Sequence, residues 1–238
     1  MAEKRALIYE GKAKQVFETD NPDCVIIRFK DTATAFDGKK REEINDKGFL
    51  NNAISSILMK FLESKGVATH FIEKLNDREI LARKIKIYPL EVVLRNVIAG
   101  SLAKRTGLKE GMEIEEGILE YYYKDDKLGD PLINKDHIRL LKLAKESELT
   151  RIEEEAHQIN QYLIDIFKEI GLILVDFKLE FGCFKGNIVL GDEISPDTCR
   201  LWDITTKKVL DKDRFRKDLG DVTEAYREVY DRLQNYKG

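Results

Sequence analysis

The stretch Leu172–Asp192 reads LILVDFKLEFGCFKGNIVLGD, and its middle alternates strictly between charge and apolar bulk. Asp176, Lys178 and Glu180 fall at every second position, interleaved with Phe177, Leu179 and Phe181. Alternate side chains of a β-strand point to opposite faces. One face therefore carries a carboxylate, an ammonium and a carboxylate in a row, and the other packs two aromatic rings and a leucine. After a turn at Gly182–Gly186, Asn187–Leu190 reads as a second strand that delivers Asp192 at or just past its end. A hairpin of the two brings Glu180 and Asp192 toward one point. Two hard carboxylates beside a lysine suit Mg²⁺ and an anionic phosphate. The same pattern also describes a half-solvated edge strand with alternating charges.

The 238 residues are 42% hydrophobic, enough for one large domain or two lobes around real cores. Charged residues make up 36% of the chain with both signs interspersed, and the net charge of −3 argues against non-specific nucleic-acid binding. Local basic clusters occur at Lys39–Arg41 and between Lys207 and Lys217. Cys24, Cys183 and Cys199 are too few for a disulfide framework, and no CxxC pair offers a zinc site. The N-terminus lacks the apolar core of a signal peptide, and no apolar run is long enough to span a membrane. These features point to a soluble, cytoplasmic protein.

Residues 1–88 read mostly as short strands with one helix. Ala6–Tyr9 and Gln15–Glu18 flank the turn Glu10–Lys14, and Cys24–Phe29 is strongly β-branched. Asp46 is placed to cap a helix running to Lys65, with Gly66 ending it. Further strands are expected at Ala68–Ile72, Glu79–Ile87 and Glu91–Ala99. Ser101 then reads as the N-cap of a short helix Leu102–Thr106, followed by a strand at Ile118–Tyr123. Thr150–Ile170 carries the clearest helical stripe, with Thr150 and Glu153 resembling a capping box. A last helix is expected over Arg216–Gln234. The fold class is α+β: a small β-rich lobe over residues 1–88 and a larger mixed lobe over 89–238.

Three further segments carry chemistry. Gly11-Lys12-Ala13-Lys14 sits in the first turn, where small residues let backbone N–H groups approach a phosphate. It is neither a Walker A motif nor GxGxxG, and it equally describes a solvated hairpin tip. Arg95 lies mid-strand ahead of Gly100-Ser101, a combination suited to a phosphate monoester or to a cap and a surface ion pair. Arg200 precedes the only tryptophan and serves either a phosphate or an aromatic stack. His70, His137 and His157 show no metal spacing, and no Ser–His–Asp arrangement is legible.

Five blocks, in order, resemble the SAICAR synthetase family: Ile8–Lys14, Val92–Ser101, Leu172–Gly182, Val189–Asp203 and Asp211–Gly220. The resemblance implies a two-lobe fold with ATP in the cleft between lobes. It also implies an ATP-dependent ligase that joins L-aspartate to the carboxylate of the imidazole ribotide CAIR. In that reading Gly11, Lys12, Ala13 and Lys14 cover the ATP phosphates. Val16 lies against adenine, which rests on backbone near Arg83, Ile85 and Ile87. Glu180 and Asp192 hold Mg²⁺, Lys178 neutralises the transferred phosphoryl group, and Asp176 contacts the imidazole or its amine. Arg95, Ser101 and Arg200 bind the ribotide 5′-phosphate, and Asp37 lies near CAIR or a second metal. Lys124 and Arg216 meet substrate carboxylates. A homodimer is implied as well. The alternatives are a kinase, for which HRDxxxxN and DFG are missing, and a non-catalytic nucleotide-binding regulator.

Overall fold

Strands β1 (Lys4–Glu10) and β2 (Lys14–Thr19) form the expected hairpin, its turn closed by Gly11 N donating to Lys14 O at 2.8 Å. The structure is a computed structural model and describes residues 2–35 and 38–236. Next come β3 (Cys24–Phe29), a two-stranded ribbon of β4 (Thr32–Ala35) and β5 (Lys40–Glu43), α1 (Lys47–Ser64), β6 (Phe71–Lys74) and β7 (Glu79–Arg83). These give an antiparallel sheet in the order β1-β2-β3-β7-β6. Leu50, Ile54, Leu58 and Leu62 of α1 are fully buried, as their one-sided spacing requires.

The chain then passes through β8 (Lys86–Ile87), β9 (Leu90–Val97), α2 (Gly100–Thr106), β10 (Glu113–Tyr123), β11 (Leu132–Ile133), α3 (Lys135–Leu141) and α4 (Glu146–Glu169). β12 (Leu172–Phe184), β13 (Asn187–Gly191), β14 (Cys199–Asp203), α5 (Asp213–Arg216) and α6 (Val222–Gln234) complete it. β12 organises the second, seven-stranded sheet. β9 and β8 pair along one of its edges, and β14 and β13 along the other. Phe177, Leu179 and Phe181 face Ile159, Leu163 and Phe167 of α4 in the core, all at most 1% exposed. Each such side chain contributes about 1.5–3 kcal/mol. The core is continuous from the first sheet through the second. No helix among the described residues is long and apolar enough to cross a membrane.

Several local expectations are corrected. Asp46 occupies the N-cap position of α1, but its φ of 65° is left-handed and its side chain makes no cap bond. A capping side chain needs extended backbone; the Asp46 carboxylate instead meets Arg227 at 2.8 Å. α4 starts four residues before Thr150, whose hydroxyl donates back to Glu146 O, while Glu148 accepts from Lys145 N at 2.7 Å. Gly182 is not in a turn: β12 runs through it, and Lys185-Gly186, both at positive φ, make the reversal. The glycine is needed because Ile85 lies on it. A Cβ at Gly182 or at Gly191 would stand 2.7 Å from Ile85 Cδ1. The expected strand Glu79–Ile87 splits between the two sheets, and the helix expected over Arg216–Gln234 breaks where Asp218, Gly220 and Asp221 turn left-handed.

Candidate active site

Register explains which side chains share the solvent face of the large sheet. Asp176 pairs with Arg95 on one side and Arg200 on the other, and Lys178 pairs with Val93. Strand alternation then places Glu91 and Arg95 of β9, Glu120 and Tyr122 of β10, and Asp176, Lys178 and Glu180 of β12 on one face. The expected charged strand face is therefore part of a charged floor built by these three strands and by β14, which sets Arg200 beside Asp176.

Glu180 and Asp192 do converge. Glu180 pairs with Gly191, the residue before Asp192, and Asp192 turns off the strand at φ 54°. The Lys178 ammonium lies 2.7 Å from Glu180, 3.1 Å from Glu91 and 3.5 Å from Asp192. Lys14 reaches across from the first hairpin to Asp192 and to Glu193, the latter at 3.1 Å, while Lys124 closes on Glu180. Burial favours a neutral Asp192, but the charges of Lys14, Lys178 and Lys124 outweigh it and hold the carboxyl far below the usual range. The same carboxylates overcome burial to raise Lys178 well above an ordinary lysine. Burial and the Lys14 charge push the His70 imidazole down to about 4, so the ring is neutral.

A second cluster sits further along the floor. Arg95, 4% exposed, donates to Glu120 at 2.7 Å, Asp176 at 2.8 Å, Ser101 Oγ at 3.0 Å and Tyr122 OH at 3.2 Å. Ser101 is thus not the cap of α2. Ala99 holds that position, and the Ser101 hydroxyl accepts from Arg95. Arg200 bridges Asp176 at 2.5 Å and Asp213 at 2.9 Å, and Arg216 meets Asp213 at 2.7 Å. Gly100, at φ +53°, lets Arg200 lie against the start of α2; a Cβ there would be 2.7 Å from Arg200 Nη2.

The two clusters open into adjoining cavities of about 930 and 380 Å³. Gly11, Lys12, Ala13, Lys14, Ile87, Lys124, Glu180 and Asp192 line the larger one. Arg95, Ser101, Asp176, Arg200 and Arg216 line the smaller, and Lys12 and Lys178 line both. The side chains of other expected contacts also serve the fold. Val16 packs on the core, Arg83 donates to the Thr69 and Phe71 carbonyls, and Ile85 covers the two glycines. Asp37 lies outside the described residues. Glu91, Glu120, Glu193 and Asp213 were not foreseen. Glu91 had a signal, because Glu91 and Arg95 repeat the alternation that singled out β12.

The donor set fits a divalent cation in one form only. Among the described residues no group of three or more His, Cys, Asp or Glu is placed to hold a metal ion by itself. An all-protein cage is therefore absent there. Two carboxylates converging on one ammonium suit Mg²⁺ bound partly through substrate phosphates.

Acid stability follows from these pairs. Burial opposes ionisation of Asp192, Asp197 and Asp213, yet lysine and arginine partners hold all three far below the usual range. A depressed folded pKa contributes stability above the unfolded value, about 3.8, and that stability is lost as pH falls further. Asp211 has the opposite sign: burial raises it to about 7. Urea unfolding across pH should show a steep loss below about pH 4. Asp211→Asn should remove a gentler decline in stability between about pH 4 and 7. Parallel pH profiles of the two proteins would contradict the Asp211 assignment.

A charged cleft of this size, floored by interleaved lysines and carboxylates and bordered by a glycine–lysine turn, belongs to an enzyme that handles polyanionic substrates. A family profile described as SAICAR synthetase matches residues 7–233. The phosphoribosylaminoimidazole-succinocarboxamide synthase of Caldanaerobacter subterraneus subsp. tengcongensis is 55% identical, over 98% of this chain and 99% of that one. The crystal structure of the Ehrlichia chaffeensis synthase superposes with a TM-score of 0.95 at 50% identity, covering 98% of this chain and 100% of that one. A SAICAR synthetase solved in complex with ADP gives 0.93 at 52% identity, covering 97% and 98%. The chain belongs to the SAICAR synthetase family and is a ligase of purine biosynthesis.

Proposed function

We propose that this ligase uses ATP to join L-aspartate to the carboxylate of CAIR, giving SAICAR, ADP and phosphate. The observation that carries the reading is the pairing of two ion-paired clusters along one continuous floor, one of lysines about Lys178 and one in which Asp176 joins Arg95 to Arg200. A nucleotide triphosphate fits the first and a ribotide phosphate the second. The ADP complex of a relative supports a nucleotide in this fold.

In this reading a CAIR carboxylate oxygen attacks the γ-phosphorus and ADP leaves. The aspartate amine then attacks the acyl carbon, loses a proton and expels phosphate. Gly11–Lys14 covers the phosphates, and adenine rests on backbone near Arg83–Ile87 beside Val16. Lys178 neutralises charge on the transferred group, and Asp176 receives the imidazole or its amine. Arg95, Ser101 and Arg200 hold the 5′-phosphate. Lys124 and Arg216 meet substrate carboxylates, and Asp37 lies near CAIR or a second metal. Glu180 and Asp192 would hold Mg²⁺, which when bound neutralises phosphate charge. The lobes divide at residues 88 and 89, and the protein works as a cytoplasmic homodimer.

The test is ADP release with Mg²⁺-ATP and CAIR, with and without L-aspartate, with products weighed by mass spectrometry. A product heavier than CAIR by aspartate minus water, formed only with all three substrates, supports the reading. Phosphorylated CAIR without use of aspartate would make the chain a kinase. Separately, Arg200→Ala should raise the KM for CAIR about tenfold or more, as loss of a charged hydrogen bond does, with little change for ATP. Equal effects on both substrates would displace the phosphate assignment.

A further inference from the structure

Glu120 of β10 is buried and lies behind Arg95, Ser101 and Tyr122, which line the smaller cavity. Ile118 pairs with Arg95 and Glu120 with Val93, so Glu120 is the diagonal neighbour of Arg95 on the same face of the sheet. Its Oε2 accepts from Arg95 Nε at 2.7 Å and from the Tyr122 hydroxyl at 3.0 Å. Its Oε1 accepts from Arg105 Nη2. Arg105 follows Ser101 by one helical turn, so both lie on one face of α2, and the Arg105–Glu120 ion pair ties that face to the sheet. A guanidinium is a rigid planar fork of N–H donors, so fixing its Nε and one Nη fixes where the other Nη points. Glu120 takes Nε and Asp176 takes Nη1. The Nη2 edge is then left beside Ser101 Oγ at 3.0 Å and Tyr122 OH at 3.2 Å, on the cavity wall.

We propose that Glu120 is a positioning residue for the ribotide 5′-phosphate: holding Arg95 Nε and the Tyr122 hydroxyl from behind, it turns the Nη2 edge of Arg95, with Ser101, toward the phosphate. The inference rests on the 5′-phosphate role of Arg95 and Ser101 proposed above. Glu120 does not itself meet the phosphate, because a carboxylate in contact with it would repel it. Its effect passes through Arg95 and depends on where its acceptor oxygen stands. A plain counter-charge for the two arginines would depend on its charge instead, and a packing residue on its volume.

Reach and charge are separated by two substitutions. Glu120→Gln keeps the length and leaves a carbonyl oxygen for Arg95 and Tyr122, with its amide toward Arg105, whose side chain is 33% exposed and free to turn to solvent. Glu120→Asp keeps the charge and draws the oxygens back by one methylene. Dissociation constants for CAIR, for the riboside lacking its 5′-phosphate and for Mg²⁺-ADP are measured by calorimetry on the full chain, beside Arg95→Met and a thermal melt of each variant. The ratio of the riboside constant to the CAIR constant reads the phosphate contacts alone. Glu120→Asp should shrink that ratio about tenfold, the effect of one charged hydrogen bond, while Glu120→Gln stays within about threefold of wild type. Riboside and Mg²⁺-ADP binding should hold in both. A loss of ratio in Glu120→Gln as large as in Glu120→Asp, or larger, would make Glu120 a counter-charge and overturn the proposal. Equal losses for CAIR, riboside and Mg²⁺-ADP would make it a packing residue and overturn it too. An unchanged ratio in Glu120→Asp beside a collapsed one in Arg95→Met would also overturn it and leave the Arg95 role standing. An unchanged ratio in Arg95→Met itself would remove that underlying role, and the inference with it.

Discussion

Asp192→Asn is expected to lower kcat/KM by more than about a hundredfold while leaving the fold intact, since a direct ligand should cost more than the second-shell range. Asparagine is the right probe because it tolerates the left-handed backbone at this position as aspartate does, whereas alanine would add strain. The change removes one charge and little volume. The lysines it would strand keep other partners. Lys14 retains Glu193 at 3.1 Å, and Lys178 retains Glu180 at 2.7 Å and Glu91 at 3.1 Å. The stability loss should therefore stay near the value of one charged hydrogen bond, about 1.5–3 kcal/mol. Because lysine charges hold the Asp192 carboxyl far below the usual range, an acid limb in the pH–rate profile does not report this residue. Full turnover at ordinary Mg²⁺ would remove Asp192 from the cation site.

Which parts of this site were legible follows from the kind of order each residue obeys. The charged face of β12 was readable because strand alternation is local: Asp176, Lys178 and Glu180 announce one face without any knowledge of neighbours. The convergence of Glu180 and Asp192 was readable because a hairpin is also local, although its reversal lies at Lys185-Gly186 and not at Gly182. Gly182 looks like a turn residue in sequence, and only Ile85, in the link between β7 and β8, shows why it sits inside a strand. The partners of Arg95 were illegible for the same reason. Glu120 is contributed by β10, Asp176 by β12, and Ser101 by a helix that begins earlier than its hydroxyl suggested. Helix ends failed most often. Asp46 and Thr150 had the right chemistry for caps but the wrong backbone or position, and side-chain type alone does not fix φ. His70 showed no metal spacing in sequence, and its place beside β13 depends on a parallel stitch between distant segments.

Lys178→Met should cost about 10²–10³ in kcat, the range for removing one preorganised charge from a reacting centre. Methionine keeps the length of the aliphatic stem and deletes the ammonium. That ammonium is the shared counter-charge of Glu180, Glu91 and Asp192, so its loss leaves three carboxylates facing one another. Lys124 still reaches Glu180 and Lys14 still reaches Asp192, but Glu91 has no other ion pair among the described residues. Two consequences have opposite signs. Without cation the variant should be less stable than wild type, because like charges repel at short range in a partly buried site. With Mg²⁺ it should recover more than wild type does, because a divalent cation no longer competes with an ammonium for the same oxygens. A thermal melt with and without Mg²⁺ reads both. A larger Mg²⁺-induced rise in Tm for Lys178→Met than for wild type, together with the loss of kcat, is the expected pair. A variant that loses kcat yet gains nothing from Mg²⁺ would place the cation away from Glu180 and Asp192. Retained kcat would move phosphoryl neutralisation to Lys14 or Lys124.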